Sequence, residues 1–397
     1  MSQETVDRIE PARLVEPTAD IADVIVELSA AAATLGSALH PRTAANLADL
    51  VRLMNCYYSN LIEGHDTRPR DIERALAGDL DQDGGRRNLQ IEAAAHVRVQ
   101  KMLDAQAAEG GLPAPASPAF LRWLHEEFYA GASDEMLTIR GADRAFTMTP
   151  GAWRQGHEQD VAVGRHQPPS SERIPAFMEH LAQRFDFNGM GRAAQIMAIA
   201  SAHHRFNYIH PFPDGNGRVS RLMSHAMASI AGIGAHGLWS ISRGLARGLD
   251  SRGEYKAMMD AADTPRQGDR DGRGNLSQAA LERFVLWYLR VCLDQIHFMS
   301  GLFEINDLAR RLRAYVERRS SLKPEAARLL EEALFRGEFE RGEVARITGL
   351  PERTARRVLA ETVDLGLLAS DTPKGRVSLR FPAHALEDLF PRLFPQT

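Results

Sequence analysis

Cysteine is nearly missing from this sequence: Cys56 and Cys292 are the two it has in 397 residues. Both stand in strongly apolar helical contexts, which favours buried thiols in a reducing compartment over a disulfide. No stretch reaches the ~18 uninterrupted apolar residues expected of a membrane span. The longest weakly polar run, around 225–241, is broken by His, Ser and several Gly. Residues 1–10 are polar and acidic, without the apolar centre of a secretory signal. Charge of one sign is also lacking. The formal net charge is −4, so any contact with nucleic acid has to be local. The expectation is a cytoplasmic protein with no membrane partner. What remains is ordinary for a globular chain, 44% hydrophobic and 25% charged, and long enough for two or three domains.

One stretch gathers most of the chemistry: His210-Pro211-Phe212-Pro213-Asp214-Gly215-Asn216-Gly217-Arg218-Val219-Ser220-Arg221. An apolar-periodic run to Ile230 follows and reads as a helix. A Gly-rich turn opening a helix presents unpaired N–H groups at the positive end of the macrodipole, which makes an anion site. Arg218 and Arg221, three apart, leave the first turn on neighbouring sides, and two guanidinium forks suit several phosphate oxygens. Asp214 is placed to hold Mg²⁺, which takes one or two carboxylates plus substrate phosphates. His210 lies on the loop side, where a general base would take a hydroxyl proton. Far upstream, a helix from about 41 to 63 ends in Ser59-Asn60-Leu61-Ile62-Glu63-Gly64, with Gly64 as its stop. Glu63 in that last turn opposes the macrodipole. It reads either as a solvated charge or as one that meets a cation in tertiary contact, with Ser59 on the same face.

The stretch at 210–221 resembles the Fic signature, His-x-Phe-x-Asp/Glu-Gly-Asn-Gly-Arg-x-x-Arg, and every defined position is filled. The resemblance implies transfer of AMP from ATP to a Tyr, Thr or Ser hydroxyl of a target protein, with ATP as substrate and Mg²⁺ as cofactor. It implies His210 as general base, Phe212 as core anchor and Asp214 as metal ligand. Gly215, Asn216 and Gly217 would form the anion hole, and Arg218 and Arg221 would hold the outer phosphates. Ser59-x-x-x-Glu63-Gly64 matches the family's inhibitory motif, in which the Glu pairs with the second signature Arg, here Arg221. Fic cores also carry a β-hairpin flap that aligns the target by strand addition, and residues 155–169, with a strand at Val161–Val163, are the candidate. Tyr255 would flank the adenine, or simply pack. Removal of AMP, alone or alongside its transfer, is the alternative chemistry. A nucleotide-sensing transcriptional regulator is the alternative class.

The rest of the chain reads as mainly α: an all-helical Fic core with a small hairpin flap, plus a C-terminal winged helix-turn-helix. The expected domains are 1–112, 113–319 and 320–397. Residues 1–20 read as a poorly ordered arm or extended lead-in. One helix is expected at 242–261, a capping box at Asn275–Gln278, and a long helix from there toward Arg319. His203 and His204 read as packed helix residues rather than zinc ligands. At the C-terminus, Arg353, Arg356 and Arg357 fall on the recognition helix of the helix-turn-helix, open to DNA, to a protein partner or to a homodimer contact.

Overall fold

The computed structural model describes residues 4–141 and 145–394. Helices dominate. In chain order they begin with α1 (Ala19–Ser37), α2 (Pro41–Ile62), α3 (Pro69–Leu76), α4 (Gly84–Ala108), α5 (Pro118–Phe128) and α6 (Asp134–Leu137). Strands β1 (Thr138–Arg140) and β2 (Ala145–Thr147) follow, then α7 (Ile174–Arg184), α8 (Arg192–Ile209) and α9 (Asn216–Ile230). Next are α10 (Ile241–Arg247), α11 (Glu254–Ala262), α12 (Gln278–Leu302) and α13 (Ile305–Glu317). The chain ends with α14 (Ala326–Arg336), β3 (Glu338–Phe339), α15 (Val344–Thr348), α16 (Glu352–Asp364), β4 (Leu368–Ala369), β5 (Val377–Leu379) and α17 (Leu386–Leu389). Two compact units result, one of residues 1–30, 55–234 and 240–295, the other of 31–54, 235–239 and 296–397. Among the described residues, no single helix is long and apolar enough to cross a membrane.

The first unit is built round α8, which is buried almost continuously from Ile196 to Ile209, His203, His204 and Arg205 included. Such a helix belongs in a core rather than at a surface. α9 packs along it, and α4, α5 and α7 close the surrounding layer. Ile196, Phe206, Leu222 and Met223 are fully enclosed, each contributing about 1.5–3 kcal/mol of apolar burial. Ser117 caps α5 by accepting from the Phe120 N–H, with Pro118 at its first turn, as the Ser-Pro pair suggests.

Several local expectations are corrected. The arm at 1–20 is tied down from Glu4 onward, because Ile9, Ala12 and Leu14 bury apolar surface that its polar composition masks. The Leu276 N–H donates to the Glu10 carbonyl at 2.8 Å, and Arg205 donates to the Pro11 carbonyl at 2.9 Å. The helix expected over 242–261 is two helices, α10 and α11, because Gly248 turns left-handed at φ 67° and ends the first. The capping box at Asn275 gives way to Ser277, whose hydroxyl accepts from the Ala280 N–H at 3.0 Å. The long helix after it breaks at Glu304, which caps α13 by accepting from the Asp307 N–H at 2.7 Å. Between 155 and 169 the strand is reduced to one antiparallel bridge, Val163 to His166, about a turn with Gly164 at φ 61°. Pro168 and Pro169 have no N–H to extend that ladder. The paired hairpin lies upstream instead, with Thr138 opposite Thr147 in β1 and β2.

In the second unit the order from α14 to β5 is helix, strand, helix, turn, helix, strand, strand. The sheet order is β3-β5-β4, all antiparallel. Gly349, at φ 72°, makes the turn between α15 and α16. The first half of α2 belongs to this unit. Thr43 donates to the Leu334 carbonyl at 2.8 Å, and Arg42 pairs with Asp371 at 2.5 Å. Arginines here are matched by glutamates: Arg346 with Glu343 at 2.8 Å, and Arg376 with Glu338 and Glu340 at 3.3 Å.

Candidate functional site

Helix α8 ends at His210, which takes a left-handed conformation at φ 50°, ψ 59°. For a residue with a Cβ this costs about 1–2 kcal/mol, so surrounding bonds have to hold it. Arg154 supplies them. Its Nε donates to the His210 carbonyl at 2.7 Å, and its Nη2 donates to the Pro169 and Ile209 carbonyls at 2.9 and 3.3 Å. Its own N–H donates to the Pro211 carbonyl at 2.8 Å. The guanidinium is fully buried, and Asp160 pairs with it at 3.4 Å. Burial first, and then the Arg154 charge, push the His210 imidazole down to about 4. It is therefore neutral at pH 7 and ready to accept a proton.

The loop after His210 is pinned from within. Phe212 is fully buried, stacked on His125 at 3.9 Å between centroids and tilted against Trp153 at 4.6 Å. The Asn216 side chain clamps the loop from the far side. Its Oδ1 accepts from the Phe212 N–H at 2.9 Å and its Nδ2 donates to the Phe212 carbonyl at 2.8 Å. Gly215, at φ 78°, turns the chain into α9, and a Cβ there would press on the Tyr129 ring. The first N–H groups of α9 thus end in a fixed Gly-Asn-Gly turn, a preorganised anion site.

A carboxylate lies beside that turn. A methyl on Gly217 would run into Glu63 Oε1, which places Glu63 against the first turn of α9. Arg221 Nη2 donates to Glu63 Oε1 at 2.6 Å, and Arg221 Nε donates to the Ser59 hydroxyl at 2.9 Å. Arg221 is fully buried and the Glu63 side chain is 32% exposed. Burial pushes the Glu63 carboxyl up, but the Arg221 and Arg218 charges together hold it below its usual value. Gly64, at φ 89°, ends the helix beside it and bonds back to the Leu61 carbonyl. Of the two readings of Glu63, the structure shows the tertiary contact.

Asp214 lies across the turn, its side chain 48% exposed. Tyr129 and Arg218 both donate to its Oδ2, at 2.8 and 2.9 Å. Among the described residues no group of three or more His, Cys, Asp or Glu gathers as metal ligands. A single half-exposed carboxylate beside an anion site nevertheless fits Mg²⁺, whose remaining ligands come from substrate phosphates and water. Arg218 is enclosed. Its Nη1 pairs with Glu92, its Nη2 with Asp214, and its guanidinium lies 4.9 Å from the Phe128 ring. Burial pushes it down to about 10. Tyr255 is buried behind the site, its hydroxyl 2.8 Å from His203 Nε2 and its ring stacked on Trp287. His203 Nδ1 lies 3.0 Å from the Ser224 hydroxyl, and His204 Nε2 lies 3.1 Å from Asp263, so both histidines are hydrogen-bonded within the core. Arg353, Arg356 and Arg357 are exposed on α16 in the second unit, Arg356 pairing with Glu352 and Arg357 with Glu361.

Sequence reasoning passed over Arg154, Tyr129, His125 and Glu92. Glu92 carried a signal: it stands four residues before His96 on the inward face of α4, where a solvated charge does not belong. Arg154 and Tyr129 carried none, since nothing local ties them to a loop 55 to 90 residues away.

The sequence model of the Fic/DOC family matches residues 115–228, which include the whole stretch from His210 to Arg221. That segment is a Fic domain. Curated relatives agree over a short span. The protein adenylyltransferase Fic of Aedes aegypti is 35% identical over 72 residues, which is 18% of this chain and 14% of that protein. Its counterpart in Drosophila melanogaster is 33% identical over 72 residues, 18% of this chain and 15% of that protein. This chain therefore covers only about one-seventh of the relatives it matches. Two solved structures share the fold. A Fic family protein from Desulfovibrio desulfuricans G20 superposes with TM-score 0.53 at 18% identity, covering 92% of this chain and 98% of that one. A Fic domain containing signaling protein from Bacteroides thetaiotaomicron VPI-5482 gives TM-score 0.50 at 19% identity, covering 70% and 96%. Ser59, Glu63, Glu92 and Tyr255 all lie outside the matched Fic segment.

Proposed function

We propose that this protein is an adenylyltransferase that moves AMP from ATP to a hydroxyl side chain of a target protein, and that Glu63 holds it off. One observation carries the reading: a neutral imidazole, His210, precedes a helix N-terminus beside which a carboxylate, Glu63, is paired to Arg221. When Glu63 withdraws, the first turn of α9 and Arg221 are free to meet the phosphates of ATP. His210 takes the proton of the target hydroxyl, the oxygen bonds to the α-phosphorus, and the bond to the β-phosphate bridge breaks as pyrophosphate leaves. Asp214 would hold Mg²⁺, which supplies charge neutralisation on the phosphates. The target enters near 155–169, where Val163 is exposed. The second unit serves as a docking module in this reading, since its arginines face glutamates and leave little net field for DNA.

The test uses the full chain as Glu63→Gly, incubated with ATP, Mg²⁺ and a cell lysate, with intact-mass and peptide analysis. The expected product is a protein carrying one added AMP, absent when His210→Ala is combined with Glu63→Gly. Equal modification with and without His210 contradicts the base assignment.

A further inference from the structure

The two signature arginines sit in different surroundings. Arg221 faces one carboxylate, Glu63, on a helix end that is partly exposed. Arg218 is matched by two. Its Nη1 pairs with Glu92 of α4, its Nη2 donates to Asp214 Oδ2 and to the Tyr129 hydroxyl, and its Nε is buried. The rings of Phe128 and Tyr129 cover it at 4.9 and 5.6 Å. The Glu92 side chain is 8% exposed, and its other oxygen lies 3.5 Å from His65 Nδ1, two residues beyond Glu63. A buried guanidinium between two carboxylates is geometrically fixed. Its Nη1 faces Glu92 and its Nη2 is shared between Asp214 and Tyr129, while its Nε is enclosed without a partner.

We propose that Glu92 is a positioning residue: it anchors Arg218, which braces the Asp214 carboxylate for its metal, so that phosphate binding falls to Arg221 and the α9 turn. The proposal rests on the ATP·Mg²⁺ reading of the site. It divides the labour of two arginines that the signature alone treats alike. Glu92 acts at two removes, through Arg218 on a metal-binding carboxylate; partners bonded directly to such a ligand change metal affinity by roughly 10- to 100-fold.

The experiment titrates ATP calorimetrically into full-length Glu63→Gly, once with saturating Mg²⁺ and once with EDTA. The ratio of the two dissociation constants is the metal-dependent gain. Adding Glu92→Gln is expected to cut that gain about tenfold while leaving the EDTA value within about twofold. Glu92→Asp restores part of the gain. Tyr129→Phe, which removes one bond to Asp214 and keeps the ring over Arg218, lowers it by a smaller factor and carries the test if Glu92→Gln does not fold. Tighter ATP binding in EDTA on Glu92→Gln overturns the proposal, because Glu92 would then be masking a phosphate-binding Arg218. An unchanged gain in both variants also overturns it. If Glu63→Gly binds no ATP with Mg²⁺, the nucleotide reading itself fails and takes this one with it.

Discussion

Glu63→Gln is the most informative single change, because it keeps the shape of the side chain and removes its charge. The lost partner is a fully buried Arg221, 2.6 Å away, bonded also to the Ser59 hydroxyl. Breaking a fully buried pair costs about 3–5 kcal/mol. Glu63 is 32% exposed and Gln keeps one hydrogen bond, so solvent screening brings the figure to ~2 kcal/mol. The same ~2 kcal/mol is what nucleotide phosphates no longer have to displace, a factor of about 30 in dissociation constant. Two opposite movements are thus expected from one substitution. Thermal unfolding should come down by roughly 4–8 °C at ~2–4 °C per kcal/mol, and ATP·Mg²⁺ affinity measured by calorimetry should rise about 30-fold. A fall in stability with ATP affinity unchanged would refute the reasoning, since Glu63 would then be a structural contact and not a competitor for the anion site.

Three further expectations follow from the same geometry. Gly217→Ala drives a methyl into Glu63 Oε1 and should lower stability by about 1–2 kcal/mol. In the Glu63→Gly background it should be neutral or stabilising by up to ~1 kcal/mol, because Ala is the better helix former; a double-mutant cycle on unfolding free energies reads the difference. The rate of self-labelling by Glu63→Gly should stay flat from pH 8 to below 6 and decline only toward the His210 value of about 4. An acid limb near 6.5 would contradict the half-buried, Arg154-flanked base. The linked stability has a definite sign: between about 4 and 6.5 the unfolded chain binds a proton that folded His210 refuses, so stability rises with pH across that window. Arg154→Lys keeps a charge but loses the fork on the His210, Ile209 and Pro169 carbonyls. It should lower the turnover of Glu63→Gly by about 100-fold with ATP affinity little changed, and a loss confined to ATP affinity would argue against a role in holding His210.

The grouping of the site residues was legible because it is local. A helix start, its Gly-Asn-Gly turn and its two arginines lie within twelve residues, so their spacing fixes their faces before any tertiary contact forms. The helical core was legible for the same reason, through periodicity. What escaped was set by contacts between distant segments. The grip of the Asn216 side chain on the Phe212 N–H and carbonyl was not visible in the turn's sequence. Gly248 looked like a tolerated helix interior, yet its left-handed φ divides α10 from α11. Residues 1–20 read as a poorly ordered arm or extended lead-in because they are polar and broken by Pro11 and Pro17, though Ile9 and Ala12 are fully buried. Glu63 was ambiguous by pattern and is resolved only by Arg221, which lies 158 residues away in the chain.

The central claim is that the α-phosphoryl group of ATP is what moves. Full-length Glu63→Gly should be incubated with lysate and Mg²⁺ in parallel with ATP labelled at the α- or at the γ-phosphate, and the proteins separated and counted. The account predicts protein-bound label from α-labelled ATP, none from γ-labelled ATP, and loss of the signal when His210→Ala is added. Protein-bound label from γ-labelled ATP, or an α-label that persists without His210, would contradict it.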